Sequence, residues 1–216
     1  MPDIFVAPGQ LKGEIKIPVS KSVAHRAIIC AALAGDRNLA CSCDNGLSED
    51  IKATCEAVNK LLKNEKEIFC NESGSTLRFL IPVAAALGKE ITFTGAGRLP
   101  QRPLGEYSRI FSKKGVTLEF PESGFLPLKI SGQLKPGEFT VPGDVSSQYI
   151  TGLLLALPML KEDSRIKIEG LLESASYVDL TIRVMQHFGV KVERQVNGYF
   201  VQGGQKYLQT PYTAEG

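Results

Sequence analysis

Residues 18–35 read Pro-Val-Ser-Lys-Ser-Val-Ala-His-Arg-Ala-Ile-Ile-Cys-Ala-Ala-Leu-Ala-Gly. The stretch predicts a strand end, a short polar turn and a buried helix. Ser20 is a candidate N-cap, because its hydroxyl can accept a bond from a free amide of the first turn. Lys21 and Arg26 bring two cations to that end, where they oppose the helix dipole. Local stability does not explain them. A bound anion does, since free amides with Lys and Arg make a phosphate or carboxylate site. The alternative is that both side chains point into solvent.

The pattern recurs. Residues 73–88 and 144–158 are again small polar turns, Ser-Gly-Ser-Thr and Asp-Val-Ser-Ser-Gln, each opening an apolar helix. Recurrence of one unit is an architectural signal. Further helices are expected over 48–62, 104–114 and 178–188, where apolar residues return at helical spacing. The apolar helices themselves should run to 33, over 75–87 and over 146–160. Pro82 is expected to kink the second of these or end its regular first part. Strands are expected over 13–18, 38–43, 67–70, 91–94, 116–120, 126–130, 165–169, 191–194 and 199–202. The unit is then strand, apolar helix, strand, amphipathic helix, strand or two, taken three times, with 67–70 closing the first.

The first helix of each unit is apolar nearly all round and must be buried on all sides. The strands alternate, so each sheet keeps one wet face. The expected fold is α/β (α+β), with parallel helices inside and sheets outside. An ordinary α/β layer fold would need continuous apolar strands, which the chain lacks.

At 216 residues the chain can bury roughly 70% of its unfolded surface. A net charge of +2 with scattered basic residues does not point to nucleic acid. No apolar run reaches the ~18 residues of a membrane span, and the Met1 end has no signal-segment pattern. The five cysteines, Cys30, Cys41, Cys43, Cys55 and Cys70, lack zinc-knuckle spacing. The expectation is a cytoplasmic protein without metal or cofactor.

The helix mouths gather Lys21, Ser22, Arg26, Glu72, Ser73, Gly74, Ser75, Arg78, Ser146, Ser147 and Gln148. Two loops add Arg98, Arg102, Ser174 and Tyr177. Hydroxyls and cations dominate, which suits a small ligand carrying phosphate and carboxylate. Each charge-assisted bond contributes roughly 1.5 to 3 kcal/mol net. Three or four would hold a metabolite at about micromolar level. Blander roles are open for several of them: Arg78 as a partner of Glu72 or of a backbone carbonyl, Ser73 and Ser75 as caps, Tyr177 as core, His25 as packing. No Gly-x-Ser-x-Gly elbow, Gly-x-Gly-x-x-Gly or Walker loop is present.

Five motifs, Lys21-Ser-Val-Ala-His-Arg26, Glu72-Ser-Gly-Ser-Thr-Leu-Arg78, Arg98-Leu-Pro-Gln-Arg-Pro103, Gly143-Asp-Val-Ser-Ser-Gln148 and Ser174-Ala-Ser-Tyr177, resemble in order and spacing those of the EPSP synthase (3-phosphoshikimate 1-carboxyvinyltransferase) family. The resemblance implies two lobes of three such units each. It implies transfer of the enolpyruvyl group of phosphoenolpyruvate to the 5-hydroxyl of shikimate-3-phosphate, a step of aromatic amino-acid biosynthesis, through a tetrahedral intermediate. Lys21 would touch both substrates and act in catalysis. Ser22 and Arg26 would hold the shikimate carboxylate. Ser146, Ser147 and Ser174 would bind its phosphate, with Gln148 and Tyr177 lining the ring. Gly74, Arg102 and Gln148 would bind phosphoenolpyruvate.

Two departures accompany the resemblance. Glu72 stands where many members carry Asn, so it needs a partner such as Arg78 or Lys21. Members of the family are also about twice this length. Residues 13–202 are then one substrate-binding lobe, while 1–12 and 203–216 belong to, or cross into, a missing second lobe and should be loosely held. Such a lobe is expected to bind shikimate-3-phosphate but not turn over alone. The alternatives are a lobe of the sister transferase acting on UDP-N-acetylglucosamine, whose usual loop Cys is absent from 95–103, and a non-catalytic anion-binding lobe.

Overall fold

Three helices that are apolar almost all round must find partners on every side. The computed structural model describes residues 4–5, 9–10, 12–13, 19–36 and 47–212. The strand expected over 13–18, apart from Gly13, and the one expected over 38–43, with Cys41 and Cys43, lie outside them. Helix α1 (Lys21–Leu33) is buried from Ala24 to Ala32. It is followed by α2 (Glu49–Leu62), strand β1 (Glu67–Phe69), α3 (Gly74–Ala86), β2 (Ile91–Thr94), the short α4 (Glu106–Ile110), β3 (Val116–Glu119) and β4 (Leu128–Gly132). The next unit is β5 (Gly137–Pro142), α5 (Ser147–Ala156), β6 (Ser164–Glu169), α6 (Ala175–His187), β7 (Glu193–Gln195) and β8 (Gly198–Val201).

Two four-stranded sheets have the same topology, β1-β2-β4-β3 and β5-β6-β8-β7. In each, the first two strands are parallel and the others antiparallel. The parallel pair needs a crossover, and the apolar helix of the unit supplies it. Strand 67–70 therefore opens the second unit rather than closing the first. Alternation marks a strand but not its partner. Along β6, Ser164 and Ile166 are buried while Arg165 and Lys167 are exposed, so one face is wet. Helices α3 and α5 pack on each other, and α1 packs on α2 and α6. Fully buried Ile29, Leu77, Phe79, Leu80 and Ile81 belong to this core. Each such side chain stabilises by about 1.5–3 kcal/mol.

Helix ends follow local chemistry. At the end of α1, Gly35 has φ +82°. There Asp36 N–H donates to Ala31 O at 2.9 Å and Gly35 N–H to Ala32 O at 3.0 Å, closing a Schellman motif. N-capping is less uniform. Ser73 and Ser146 accept backbone amides, whereas Ser20, Ser48 and Ser174 sit at the N-cap without a side-chain bond. Helix α4 is shorter than the expected 104–114, because Lys113 turns to φ +61° ahead of Gly115.

Helix α3 runs through Pro82 without ending. Proline has no N–H, so the carbonyl of Arg78 loses its helical donor. The Tyr107 hydroxyl, fully buried, takes that place at 2.5 Å. Burial raises the Tyr107 pKa well above the ordinary range, which keeps it a donor. Gly152 of α5 faces the same carbonyl. A Cβ there would lie 2.6 Å from Arg78 O and 3.0 Å from Pro82 Cγ. Gly152→Ala is expected to cost about 2 kcal/mol by overpacking. That lowers the melting temperature by about 4–8 °C. An unchanged melt would mean the two helices do not cross this closely.

Residues 203–212 are not loose. Gly204 and Gln205 amides donate to Leu160 O and Pro158 O, and Leu208 N–H to Phe188 O. The buried Tyr207 hydroxyl donates to Leu155 O at 2.9 Å, and Tyr212 stacks on Phe188. Two aromatic anchors and a run of backbone bonds fasten this segment to α5 and α6.

Candidate functional site

The starts of α1, α3, α5 and α6 open onto one cleft of about 350 Å³. Seven of the residues assigned a ligand role line it, Ser22, Arg26, Ser146, Ser147, Gln148, Ser174 and Tyr177, as does Ser75, an eighth of the helix-mouth and loop candidates. Phe79 and Val145 complete the wall. Two other depressions are at least as large, about 410 Å³ beside Leu33, Met159 and Tyr207 and about 360 Å³ beside Leu171 and Val196. Neither gathers hydroxyls around a buried cation, so chemistry rather than size singles out the cleft.

Arg26 is the buried cation, 3% exposed. Its Nε donates to Thr181 Oγ1 at 2.7 Å and its Nη1 to Ser22 O at 2.6 Å. Its Nη2 donates to Tyr177 O at 3.3 Å and Thr151 Oγ1 at 3.4 Å. The guanidinium lies 5.0 Å over the Phe79 ring. A guanidinium has five N–H groups. These bonds account for four, leaving one Nη1 hydrogen. Arg26 forms no ion pair among the described residues. Burial lowers its pKa from 12.5 to about 10, with weaker opposing contributions from Cys30 and Tyr177. A buried charge without a counterion is costly, and an anion in the cleft would relieve that cost.

Around it the hydroxyls are available. Neither the Ser147 side chain, on a residue 8% exposed, nor the Ser174 side chain makes a hydrogen bond among the described residues. Ser146 spends its oxygen on the Gln148 amide at 3.2 Å but keeps a hydrogen to donate. Tyr177 is exposed at the rim rather than part of the core.

A second cationic group stands at the mouth of α3. A Cβ on Gly74 would lie 2.8 Å from Arg102 Nη1 and 2.9 Å from Arg78 Nη1. Two guanidinium groups therefore converge on the Gly74 turn. Arg78 donates to Gln148 Oε1 at 3.1 Å and Pro103 O at 3.0 Å, and its buried Nε has no partner among the described residues. The backbone-carbonyl role considered for Arg78 is present, and Glu72 is not its partner. Gln148 Nε2 donates to Ser75 Oγ at 3.0 Å, tying the α5 mouth to the α3 mouth.

Lys21 is not a wall of the cleft. It is exposed, with Nζ 2.9 Å from Asp50 Oδ2 at the start of α2. Such an exposed pair contributes little and opens readily. Glu72 pairs with neither Lys21 nor Arg78, and its carboxylate lies against the Gly97 backbone. Phe79, Thr151 and Thr181 were not anticipated. Thr151 and Thr181 follow Ser147 and Tyr177 by four residues, one helical turn, and that spacing was a usable signal. Among the described residues no three His, Cys, Asp or Glu side chains cluster to hold a metal, and no helix is long and apolar enough to cross a membrane.

Inward-facing helices whose mouths gather hydroxyls and, among the described residues, arginines without ion pairs define an α/β lobe with a cationic, hydroxyl-lined cleft. The family model for EPSP synthase (3-phosphoshikimate 1-carboxyvinyltransferase) matches residues 6–68 and 59–216. The chain belongs to the EPSP synthase family. Over 99% of its length it is 46% identical to the 3-phosphoshikimate 1-carboxyvinyltransferase of Clostridium kluyveri, covering 54% of that protein. It is 43% identical to the enzyme of the same name from Clostridium acetobutylicum, covering 55%. The chain thus spans about half the length of the curated relatives it matches. The structure of EPSP synthase from Acinetobacter baumannii superposes with a TM-score of 0.72 at 22% identity, over 91% of this chain and 48% of that one. This likeness is one of fold.

Proposed function

We propose that the chain is the shikimate-3-phosphate-binding lobe of an enolpyruvyl transferase acting in aromatic amino-acid biosynthesis. The observation that carries the reading is the buried, unpaired Arg26 in a cleft of unspent hydroxyls. The remaining Arg26 N–H and Ser22 take the shikimate carboxylate. Ser146, Ser147 and Ser174 take the 3-phosphate, and Gln148 and Tyr177 flank the ring. The Gly74 amide, Arg102 and Gln148 take phosphoenolpyruvate, where free amides at the start of α3 favour an anion. Lys21 leaves Asp50 to reach the reacting groups. The 5-hydroxyl gives up its proton as its oxygen adds to C2 of phosphoenolpyruvate, and the methylene carbon gains a proton to become a methyl group. The tetrahedral intermediate then loses phosphate and a proton. Turnover needs a complementary lobe, with residues 1–12 and 203–216 at the boundary with it. A cytoplasmic setting accords with buried, reduced Cys30, Cys55 and Cys70.

The test is calorimetric titration with shikimate-3-phosphate, with UDP-N-acetylglucosamine as control. Saturable binding of the first alone supports the reading. Ser147→Ala is then expected to weaken it about tenfold, one charge-assisted bond's worth. No binding of shikimate-3-phosphate, either alone or with the complementary lobe added, overturns it.

A further inference from the structure

We propose that His25, Thr54, Thr76 and Ser73 form a buried hydrogen-bond chain that positions the first turn of α3, and with it the Gly74 amide, relative to α1 and α2. The inference rests on the reading of the Gly74 turn as the phosphoenolpyruvate side of the site. Its members are positioning residues.

The links are short. His25 Nδ1 lies 2.7 Å from Thr54 Oγ1, and Thr54 Oγ1 lies 2.6 Å from Thr76 Oγ1. Thr76 Oγ1 donates to Ser73 Oγ at 2.7 Å, and Ser73 Oγ also accepts the Thr76 amide at 3.2 Å. All four residues are at most 4% exposed. The chain joins α1, α2 and the cap of α3.

Counting hydrogens gives it a direction. Each hydroxyl has one hydrogen. With the Thr76 hydrogen directed to Ser73 at 2.7 Å rather than to the Asp50 carbonyl at 3.5 Å, the 2.6 Å contact takes the Thr54 hydrogen, and His25 donates to Thr54 through Nδ1–H. Every dipole points toward Ser73, whose oxygen holds the start of α3. Dipoles aligned in this way strengthen one another.

Packing alone does not call for such a chain. Replacing mutually bonded polar groups by apolar ones of the same shape can be nearly neutral for stability. Placement suggests another use. His25 precedes Arg26, and Ser73 precedes Gly74. The Thr54 and Thr76 hydroxyl oxygens also lie 3.2 and 3.5 Å from the Asp50 carbonyl, on the residue whose carboxylate holds Lys21. The Gly74 turn therefore hangs from the Ser73 end of one buried chain. Such a site is sensitive to displacements of about an ångström.

The test uses the 216-residue chain and four variants: Thr76→Val, His25→Leu, the double variant, and His25→Asn, whose amide N–H can stand where Nδ1–H does. Hydrogen exchange without ligand is read at the Thr76 and Leu77 amides. Thr76→Val and His25→Leu are expected to speed it about tenfold, with no change at Val83–Ala86. The double variant should be no worse than the worse single, and His25→Asn should stay near wild type. Phosphoenolpyruvate affinity, titrated with shikimate-3-phosphate present, should fall about fivefold in the same variants while shikimate-3-phosphate affinity holds. Unmoved exchange at Thr76 and Leu77, additive effects, or equal loss along all of α3 overturns the chain. If the wild type binds no phosphoenolpyruvate, the reading of the Gly74 turn fails, and exchange still decides the chain.

Discussion

Arg26→Met is expected to raise the dissociation constant for shikimate-3-phosphate at least about 100-fold and to change folding stability by less than about 1 kcal/mol. The two halves of this expectation have different causes. The loss of affinity follows from removing the buried cation of the cleft together with its unassigned N–H. The small stability change follows from the other partners of the groups that Arg26 touches. Tyr177 O also accepts the Thr181 hydroxyl at 2.8 Å, and Thr181 also bonds Thr151 at 3.0 Å. Ser22 O stays within the hydrogen-bond ladder of α1. Methionine leaves few orphans and removes a charge that burial opposes, an exchange that is often neutral. Calorimetry and urea unfolding of the same sample check both halves. Arg26→Lys should bind almost as poorly, because one ammonium cannot reproduce the planar fork. A variant that binds normally but loses about 3 kcal/mol or more would make Arg26 a strut.

Acid should destabilise the fold through His25 by about 3 kcal/mol between pH 6.5 and 4. Burial lowers the pKa of this imidazole from 6.5 to about 4. Asp50 opposes the shift, and Arg26 and Lys21 reinforce it. In that window the unfolded chain binds a proton that the folded chain refuses, so stability falls as pH falls and the His25 contribution levels off below about 4. Urea unfolding at several pH values measures the slope. His25→Asn should remove this part of it and leave the part due to carboxylates. Identical slopes in the two proteins would mean that His25 is charged in the fold.

Much of this was legible because it is local. Gly35 ends α1 because a left-handed residue closes the Schellman motif, and such chemistry spans only a few residues. The apolar surfaces of α1, α3 and α5 announced burial on all sides, and alternation in β2 and β6 announced a wet face. The recurring polar turns marked Ser22, Arg26, Ser75, Ser146, Ser147 and Gln148, and a loop marked Ser174 and Tyr177, all of which the cleft gathers. Helix α4 came out short for a local reason, the turn at Lys113. Helix α3 continues past Pro82, and the carbonyl that Pro82 orphans is met by Tyr107 from 29 residues away.

The amino-acid order, then, was enough for the elements, the repeat, the buried helices and the residue types of the site. Partnerships waited for the packing. The sequence offered Lys21 as a cleft residue, and the fold pairs it with Asp50. It offered Glu72 to Arg78, and the fold gives Arg78 to Gln148 and Pro103. Strand 67–70 changed units because hydrogen bonds to β2, not its own alternation, set its place. Arg26 meets Thr181 across 155 residues, and the chain from His25 to Ser73 crosses three helices. Caps and periodicity act between near neighbours in the chain. Which distant hydroxyl meets which cation depends on the faces that the helices bury together, and only the assembled core decides that.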